Sequence, residues 1–258
     1  MEIIRIFLKI IMWILIVEFG CNFVMQTVSY HFYKSAKRMT DITSVPQHIQ
    51  ITDKLTGYGY NLETNSDKLI LFFGGSNYIA YNSVGKYADK FAYPFLAVDY
   101  YGTQDSKGKM NLQTMKKSSV ELYDWTQEKY PQAEIIIMGH SYGVGMATYL
   151  ASVRECKILV LAAGYRDISD LYNKMIPIFW GPLKVFISNN IQTSQYAKNV
   201  TGSVYIIGSK ADKTLSASLQ KKLSVCFENS ELKIFNDITH EDYFISEKVV
   251  QYINSVIE

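Results

Sequence analysis

The chain has 258 residues, 48% hydrophobic and 19% charged, a composition ordinary for one globular domain with a large core. The formal net charge is only +2 at pH 7, and no extended run of lysine and arginine occurs, so nucleic acid is not an expected partner. The three cysteines form no C-x-x-C pair and the four histidines show no metal-ligand spacing, which argues against a zinc ribbon or a dithiol redox site.

Residues 1–30 are predicted to form a membrane anchor. The segment from Ile3 to Val28 is almost continuously apolar, and only Arg5, Lys9 and Glu18 interrupt it. Apolar residues fall on every side of a helix drawn through its centre, and it is long enough to cross a hydrocarbon core of roughly 30 Å. The alternatives are a signal peptide whose cleavage would release a secreted protein, although no A-x-A-like site follows, and a buried helix. The flanking basic residues do not decide the orientation.

Residues 31–47 are polar and irregular, which predicts a tether, and residues 48–258 are predicted to form one α/β domain. Apolar runs rich in β-branched and aromatic residues predict strands at 55–63, 68–73, 93–100, 134–138, 156–163, 202–209 and 231–237. Helical spacing of apolar residues predicts helices at 82–91, 111–130, 145–155, 214–225 and 243–257. This alternation predicts a mostly parallel, doubly wound sheet with helices on both faces.

Residues 164–198 are predicted to be a short helical lid-like insertion between two of these strands. The segment is long enough for only a few short helices, and its composition suits an apolar lid or a groove for an acyl chain. Ordinary packing over the sheet is an equal alternative. Its large apolar side chains are Tyr165, Tyr172, Ile176, Ile178, Phe179 and Trp180.

The stretch GHSYG, residues 139–143, places Ser141 between two glycines where an apolar strand turns into a helical pattern. A serine in a sharp strand-to-helix turn has its hydroxyl lifted clear of the backbone, and Gly139 and Gly143 carry no side chain that would obstruct the turn. The free N–H groups of the following helix point toward any negative charge formed near Ser141. This context predicts a nucleophilic serine rather than a glycine turn with an incidental hydroxyl.

A serine hydroxyl needs a base to take its proton and an acid to orient that base. Asp212 and His240 each follow a predicted buried strand, in the chain order Ser, Asp, His that such a sheet favours. His140 is a rival base, but it adjoins the serine on the turn and is expected to point away from the hydroxyl. Glu241 and Asp242 are rival acids, but as sequence neighbours of His240 they are poorly placed to reach its far nitrogen.

An oxyanion hole is predicted after the strand at 68–73, where the chain reads GGSN. Gly74 and Gly75 permit a close backbone approach at this turn. The main-chain N–H groups of Ser76 and Tyr142 are the two predicted donors to a developing oxyanion. An ordinary glycine turn is the alternative.

With these motifs in order, the sequence resembles the α/β-hydrolase superfamily from about residue 55 to its C-terminus. The five matching segments are LFFGGSN, VDYYGTQDSKGK, MGHSYGVGMA, YIIGSKADKTLS and NDITHEDYF. More narrowly, it is similar to small membrane-anchored serine hydrolases that include depalmitoylase-like enzymes. The resemblance implies triad roles for Ser141, Asp212 and His240 and oxyanion roles for Ser76 and Tyr142.

Two positions depart from the pattern of that superfamily. Gly74 stands where the family usually has His, and Tyr101 where it usually has Arg. Neither change removes a catalytic group, but both alter the surroundings of the predicted site. A substrate is therefore not carried over from the family to this chain.

The sequence therefore predicts a serine hydrolase that cleaves carboxylic ester or thioester bonds through an acyl-enzyme, with a small-molecule or acyl-chain ester as substrate. No metal ion or organic cofactor is expected. A peptidase or an acyltransferase would use the same residues, and a non-catalytic, membrane-anchored binding protein would keep only the fold. The sequence does not determine the oligomeric state or the side of the membrane.

Overall fold

The computed structural model describes residues 2–175, 177–179, 181, 184, 187 and 190–258. The strands are β1 Gln47–Gln50, β2 Thr56–Tyr60, β3 Lys68–Phe73, β4 Phe95–Val98, β5 Glu134–His140, β6 Ile158–Ala162, β7 Ser203–Ser209 and β8 Ser230–Phe235. The α-helices are α1 Glu2–Ser35, α2 Ala80–Tyr87, α3 Leu112–Lys129, α4 Val144–Val153, α5 Ile168–Met175, α6 Thr193–Tyr196, α7 Ala217–Ser224 and α8 Glu247–Ile257.

These strands form one sheet in the order β1-β2-β4-β3-β5-β6-β7-β8. Strand β2 is antiparallel to β1 and β4, and every other neighbouring pair is parallel. The predicted mostly parallel sheet is thereby confirmed. Strand β1 was not predicted, because its four residues, QHIQ, carry a single apolar side chain, that of the buried Ile49.

Helices cover both faces of this sheet because the strand order reverses at β3. The connection from β3 to β4 moves in one direction along the sheet, and those from β4 to β5 and from β5 to β6 move in the other. Right-handed crossovers therefore place α2 on the face opposite α3 and α4. Helix α8 lies on the α2 side, where Asn254 donates a hydrogen bond to the carbonyl of Lys90, just after α2. The two turns that carry the predicted nucleophile and oxyanion donors come at the ends of β5 and β3, and both therefore lie at this reversal.

Helix α1 continues through Ser35, beyond the predicted end of the anchor at residue 30. The chain after it lies against the domain: Thr43 and Ser44 both donate main-chain hydrogen bonds to the carbonyl of Gly85 in α2, and Arg38 pairs with Asp105. In the part of the chain that the structure describes, no helix combines the length and the apolar character needed to cross a membrane. The predicted transmembrane anchor is therefore not confirmed.

Among its described residues, the predicted lid-like insertion at 164–198 includes the short helices α5 and α6. Tyr165, Tyr172 and Phe179 are buried, and Ile178 is partly buried. Ile176 and Trp180, which were named with them, lie outside the described residues. The assignment of the segment as a lid stays a prediction.

The buried sheet predicts a clear difference between two valine-to-alanine substitutions. Val160 in β6 is fully buried, whereas Val225 is 83% exposed. We expect Val160→Ala to lower the free energy of unfolding by about 2–3 kcal/mol, since it removes two methyl groups and leaves a cavity. Val225→Ala should change it by less than about 0.5 kcal/mol. Urea denaturation measures both, and equal losses would contradict the described packing.

Candidate active site

Ser141 occupies a strained turn between β5 and α4. Its φ of 52° lies in the left-handed region, which non-glycine residues seldom adopt. The turn also brings Gly143 against the end of β3, where a Cβ on Gly143 would lie only 2.2 Å from the carbonyl oxygen of Phe73. Only glycine fits this contact, so the spacing of the GHSYG motif follows from the local geometry.

The three residues predicted as a triad lie in one chain of hydrogen bonds. The Oγ of Ser141 is 2.9 Å from Nε2 of His240, and Nδ1 of His240 is 2.9 Å from Oδ2 of Asp212. Because a carboxylate only accepts, Nδ1 of His240 carries a proton and Nε2 is left to accept the Ser141 hydroxyl proton. The loops after β5, β7 and β8 thus bring a hydroxyl, an imidazole and a carboxylate into the order needed to activate a nucleophile.

The carboxylate of Asp212 is fully buried and well supplied with donors. Its Oδ1 accepts from the main-chain N–H groups of Thr214 and Leu215, each at 2.8 Å, and the Tyr243 hydroxyl donates to its Oδ2 at 3.2 Å. Burial raises the pKa of Asp212, but the hydrogen bonds from His240 and from these N–H groups outweigh it and hold the pKa below its usual value. Asp212 is therefore an anion at neutral pH.

The hydrogen bond that the structure gives the ring of His140 goes to the main chain of His240, whereas the Ser141 hydroxyl pairs with the ring of His240. Nε2 of His140 is 2.9 Å from the main-chain oxygen of His240, which only accepts, so this nitrogen is the donor. Burial, and then the neighbouring His240, lower the pKa of His140 to about 3. His140 is thus a neutral support for the loop that carries His240, a role that the sequence analysis did not assign.

The rival acids do not take the place of Asp212. Asp242 accepts a hydrogen bond from the Thr239 hydroxyl within its own loop. Glu241 is exposed and lies at the edge of the cavity above the serine. Tyr243, which follows Asp242 in this loop, is the residue that hydrogen-bonds to Asp212. Nothing in the sequence pattern distinguished it from its neighbours.

The turn after β3, which carries the predicted oxyanion donor Ser76, approaches Ser141 because β3 and β5 are adjacent and in register. Phe73 pairs with Gly139, so the residues after Phe73 run alongside the turn at Ser141. A Cβ on Gly75 would lie 3.2 Å from the Cβ of Ser141, which shows how closely the two backbones approach. Ser76 and Tyr142 both line the same cavity as the serine. The arrangement suits main-chain N–H donation to an oxyanion at this point.

The two departures from the family pattern have different structural settings. A Cβ on Gly74 would lie 2.3 Å from the ring of Tyr78, so the glycine makes room for that ring at the edge of the cavity. Tyr101 instead donates a 2.6 Å hydrogen bond to Glu121 on α3. Gly74 therefore changes the shape of the site, whereas Tyr101 stabilises the packing of α3.

A cavity of about 930 Å³ opens over Ser141 and His240, and we call it the Ser141 cavity. This volume is at the upper end of the range for small-molecule sites. Part of its lining comes from Val28 and Phe32 on α1, which the sequence analysis did not connect with the site. Within the described residues, no group of three or more His, Cys, Asp or Glu side chains is arranged to hold a metal ion.

Solved structures of esterases share this fold. The esterase Pf2001 of Pyrococcus furiosus superposes with a TM-score of 0.63 at 16% identity, covering 87% of this chain and 94% of the esterase. Est1E of Butyrivibrio proteoclasticus superposes with a TM-score of 0.59 at 16% identity, covering 83% of this chain and 98% of that protein. The chain has the α/β-hydrolase fold, and the resemblance stated from its motifs is confirmed at that level.

Curated proteins match over shorter segments. Lysophosphatidylserine lipase ABHD12 of Danio rerio is 25% identical over 155 residues, 54% of this chain and 40% of the lipase. Protein ABHD12B of Homo sapiens is 37% identical over 62 residues, 24% of this chain and 17% of that protein. The chain thus spans less than half the length of these relatives, and no family model matches it. The narrower likeness to depalmitoylase-like enzymes stays a prediction.

The buried neutral state of His140 predicts a pH-dependent stability. Its pKa is about 3 in the folded chain against an ordinary value of 6.5, so between these values only the unfolded chain takes up the proton. Stability from this group is present above pH 6.5 and is lost as the pH falls toward 3, by up to about 1.4 kcal/mol per pH unit. We expect His140→Gln to flatten the plot of unfolding free energy against pH between 4 and 6.

The matched control is His48→Gln, because His48 is exposed. Urea denaturation at each pH gives the two slopes relative to the wild type. The control should keep the wild-type slope. A His140→Gln slope equal to that of the wild type would show that His140 is not held neutral in the folded chain.

Proposed function

We propose that the protein is a serine hydrolase that cleaves carboxylic ester or thioester bonds. The observation that carries the proposal is the continuous hydrogen-bonded series of Ser141, His240 and the anionic Asp212 at the floor of a large cavity. The strained backbone of Ser141 and the adjacent turn after β3 support the same reading. A large cavity alone would suit any ligand, whereas an activated hydroxyl beside N–H donors suits acyl transfer.

In the proposed reaction, Ser141 Oγ attacks the carbonyl carbon of the substrate while His240 Nε2 takes the hydroxyl proton. The main-chain N–H groups of Ser76 and Tyr142 stabilise the oxyanion, and Asp212 stabilises the imidazolium form of His240. The tetrahedral intermediate collapses, the bond to the alcohol or thiol breaks, and His240 donates its proton to that leaving group. An ester between Ser141 and the acyl group remains.

A water molecule then attacks the acyl-enzyme, and His240 takes one of its protons. The second tetrahedral intermediate collapses to a carboxylic acid, and His240 returns the proton to Ser141 Oγ. The net reaction consumes one water molecule and leaves the enzyme unchanged. Each step uses only residues of this chain, so no metal ion or organic cofactor enters the proposal.

The relatives favour an ester substrate with a lipid component. One of the curated relatives is a lysophosphatidylserine lipase, and the solved neighbours include esterases. Peptide hydrolysis and acyl transfer to an alcohol would use the same residues, and products formed in the presence of an added alcohol distinguish transfer from hydrolysis. A non-catalytic binding protein would keep the cavity but would not react with a serine-directed reagent.

Reaction with a fluorophosphonate tests the proposal directly. We expect the wild type to be labelled on Ser141, and Ser141→Ala and His240→Ala to remain unlabelled. Hydrolysis of a short p-nitrophenyl ester should fall by on the order of 10⁴-fold or more in either variant, because the nucleophile and base act as a unit. Tryptic mass spectrometry identifies the labelled residue, and circular dichroism checks that each variant is folded.

The matched pair for the acid is Asp212→Asn and Asp237→Asn. Asp237 is exposed and pairs with Lys248, away from the cavity. Only the change at Asp212 should reduce labelling and ester hydrolysis. A folded wild type that stays unlabelled would favour the binding-protein reading.

We also propose that α1 attaches the protein to a membrane. The support is that large apolar side chains along the helix are exposed, among them Ile3, Trp13 and Phe23. Membrane burial would remove this surface from water at a gain of roughly 25 cal/mol per Å². A signal peptide is the competing reading of the same residues.

Flotation of the full chain with phosphatidylcholine vesicles tests the attachment. We expect the protein to float with the vesicles, and the triple change Ile3→Ser, Trp13→Ser and Phe23→Ser to shift it toward the soluble fraction. Intact-mass analysis of the protein recovered from an expressing cell tests the competing reading, since cleavage would remove residues near 1–30. Recovery of an uncleaved chain that does not float would contradict both.

A further inference from the structure

The last turns of α1 and the residues after it form one wall of the Ser141 cavity. Val28, Phe32 and Ser35 lie on this wall, and their spacing of four and then three residues places them on one face of the helix. Ala36 and Met39 extend the wall beyond the helix end. From Val28 to Ser35 the face is roughly 10 Å long. The wall therefore has the length and direction of an extended hydrocarbon chain.

Helix α1 is fixed in this position by a buried tyrosine. Tyr33 is fully buried, and its ring meets the rings of Tyr100 and Tyr142 edge to face, with centroids 5.9 Å apart in both cases. Tyr142 is held in turn by the hydroxyl of Tyr165, which donates to its main-chain oxygen at 3.0 Å. Since Phe32 precedes Tyr33 directly, the buried tyrosine holds the neighbouring face of α1 toward the cavity.

The charged groups of the cavity lie at its solvent side. Lys37 and Glu241 line the cavity and are exposed, and Lys86 is half-buried. The helical face from Val28 to Ser35 carries no charge. Val28 and Phe32 are 39% and 43% exposed, so a ligand with an apolar arm against α1 and a polar end near the charged groups would remove this apolar surface from water.

We propose that the face of α1 formed by Val28, Phe32 and Ser35 is the acyl-chain site of the enzyme. This inference rests on the proposed hydrolase function and names its substrate class: an ester or thioester of a medium- or long-chain fatty acid. The carbonyl lies at Ser141, and the hydrocarbon chain runs along α1. Phe32 is the main specificity-determining residue because it contributes the largest apolar side chain to the described wall.

The first experiment measures kcat/KM for p-nitrophenyl acetate and p-nitrophenyl laurate below the micelle concentration. In Phe32→Ala the ratio of laurate to acetate should fall about 3- to 10-fold, which corresponds to the loss of an apolar contact of roughly 0.7–1.4 kcal/mol. Phe32→Trp should also lower the ratio, because the larger side chain narrows the cavity beside α1. The matched control is Phe23→Ala on the same helix, since Phe23 is 70% exposed and lies outside the cavity lining.

The second experiment locates the chain without relying on turnover. An alkyl fluorophosphonate with a diazirine at the end of a dodecyl chain is attached to Ser141 and then photolysed. We expect the cross-link to fall within residues 28–39. A cross-link confined to residues 164–198, the competing acyl groove, would overturn the proposal.

The two experiments separate this inference from the function on which it rests. A wild type that takes up the fluorophosphonate, with laurate-to-acetate ratios in both Phe32 variants equal to that of Phe23→Ala, would overturn the acyl-chain site and leave the hydrolase intact. A folded wild type that takes up no reagent would overturn the hydrolase and the acyl-chain site together. A lowered ratio with a cross-link in residues 28–39 supports both.

Discussion

The backbone at Ser141 is the constraint on which the rest of the site depends. A non-glycine residue at a φ of 52° is costly, on the order of 1 kcal/mol or more, and it persists only where the surroundings hold it. Here the parallel pairing of β5 with β3 and the contact of Gly143 with the end of β3 hold the turn in place. The stability of the sheet is thus used to keep one hydroxyl raised toward the cavity.

The charges of the site depend on the hydrogen-bond partners that the loops after β5, β7 and β8 bring together. Asp212 is an anion in a buried place because three donors besides His240 satisfy its oxygens, which offsets the cost of removing a charge from water. His140 is also buried but remains neutral, because burial and then the neighbouring His240 lower its pKa more than its hydrogen bond to a carbonyl raises it. Two histidines that lie side by side therefore differ in state, and in the proposed mechanism one moves a proton while the other supports a loop.

Local patterns explain why so much of this site could be predicted from the sequence. The strand-to-helix turn, the two glycines and the positions of Asp212 and His240 after apolar runs are all short-range signals. The sheet was predictable for the same reason, because parallel strands buried on both faces read as continuous apolar runs. The short strand β1 lacks such a run and was missed. The predicted sites lie where such sheets bind ligands.

Long-range packing explains what the sequence did not reveal. Tyr243 supports Asp212 only because the loop after β8 lies against the end of β7, and no spacing rule selects it from the other nineteen tyrosines of the chain. The cavity wall on α1 joins residues near 30 to residues near 140 and 240. These wall residues lie where the apolar segment passes into a polar one, and their own pattern gives no sign of the face that meets the domain.

The shape of the Ser141 cavity has a consequence for how the protein is made. Its wall comes from the beginning of the chain, its nucleophile from the middle, and His240 from the loop after the last strand. During synthesis the early helix and the serine emerge well before the histidine. If the proposed mechanism holds, the serine lacks its base until that last loop leaves the ribosome, and a nascent chain cannot attack acyl groups before its sheet is complete.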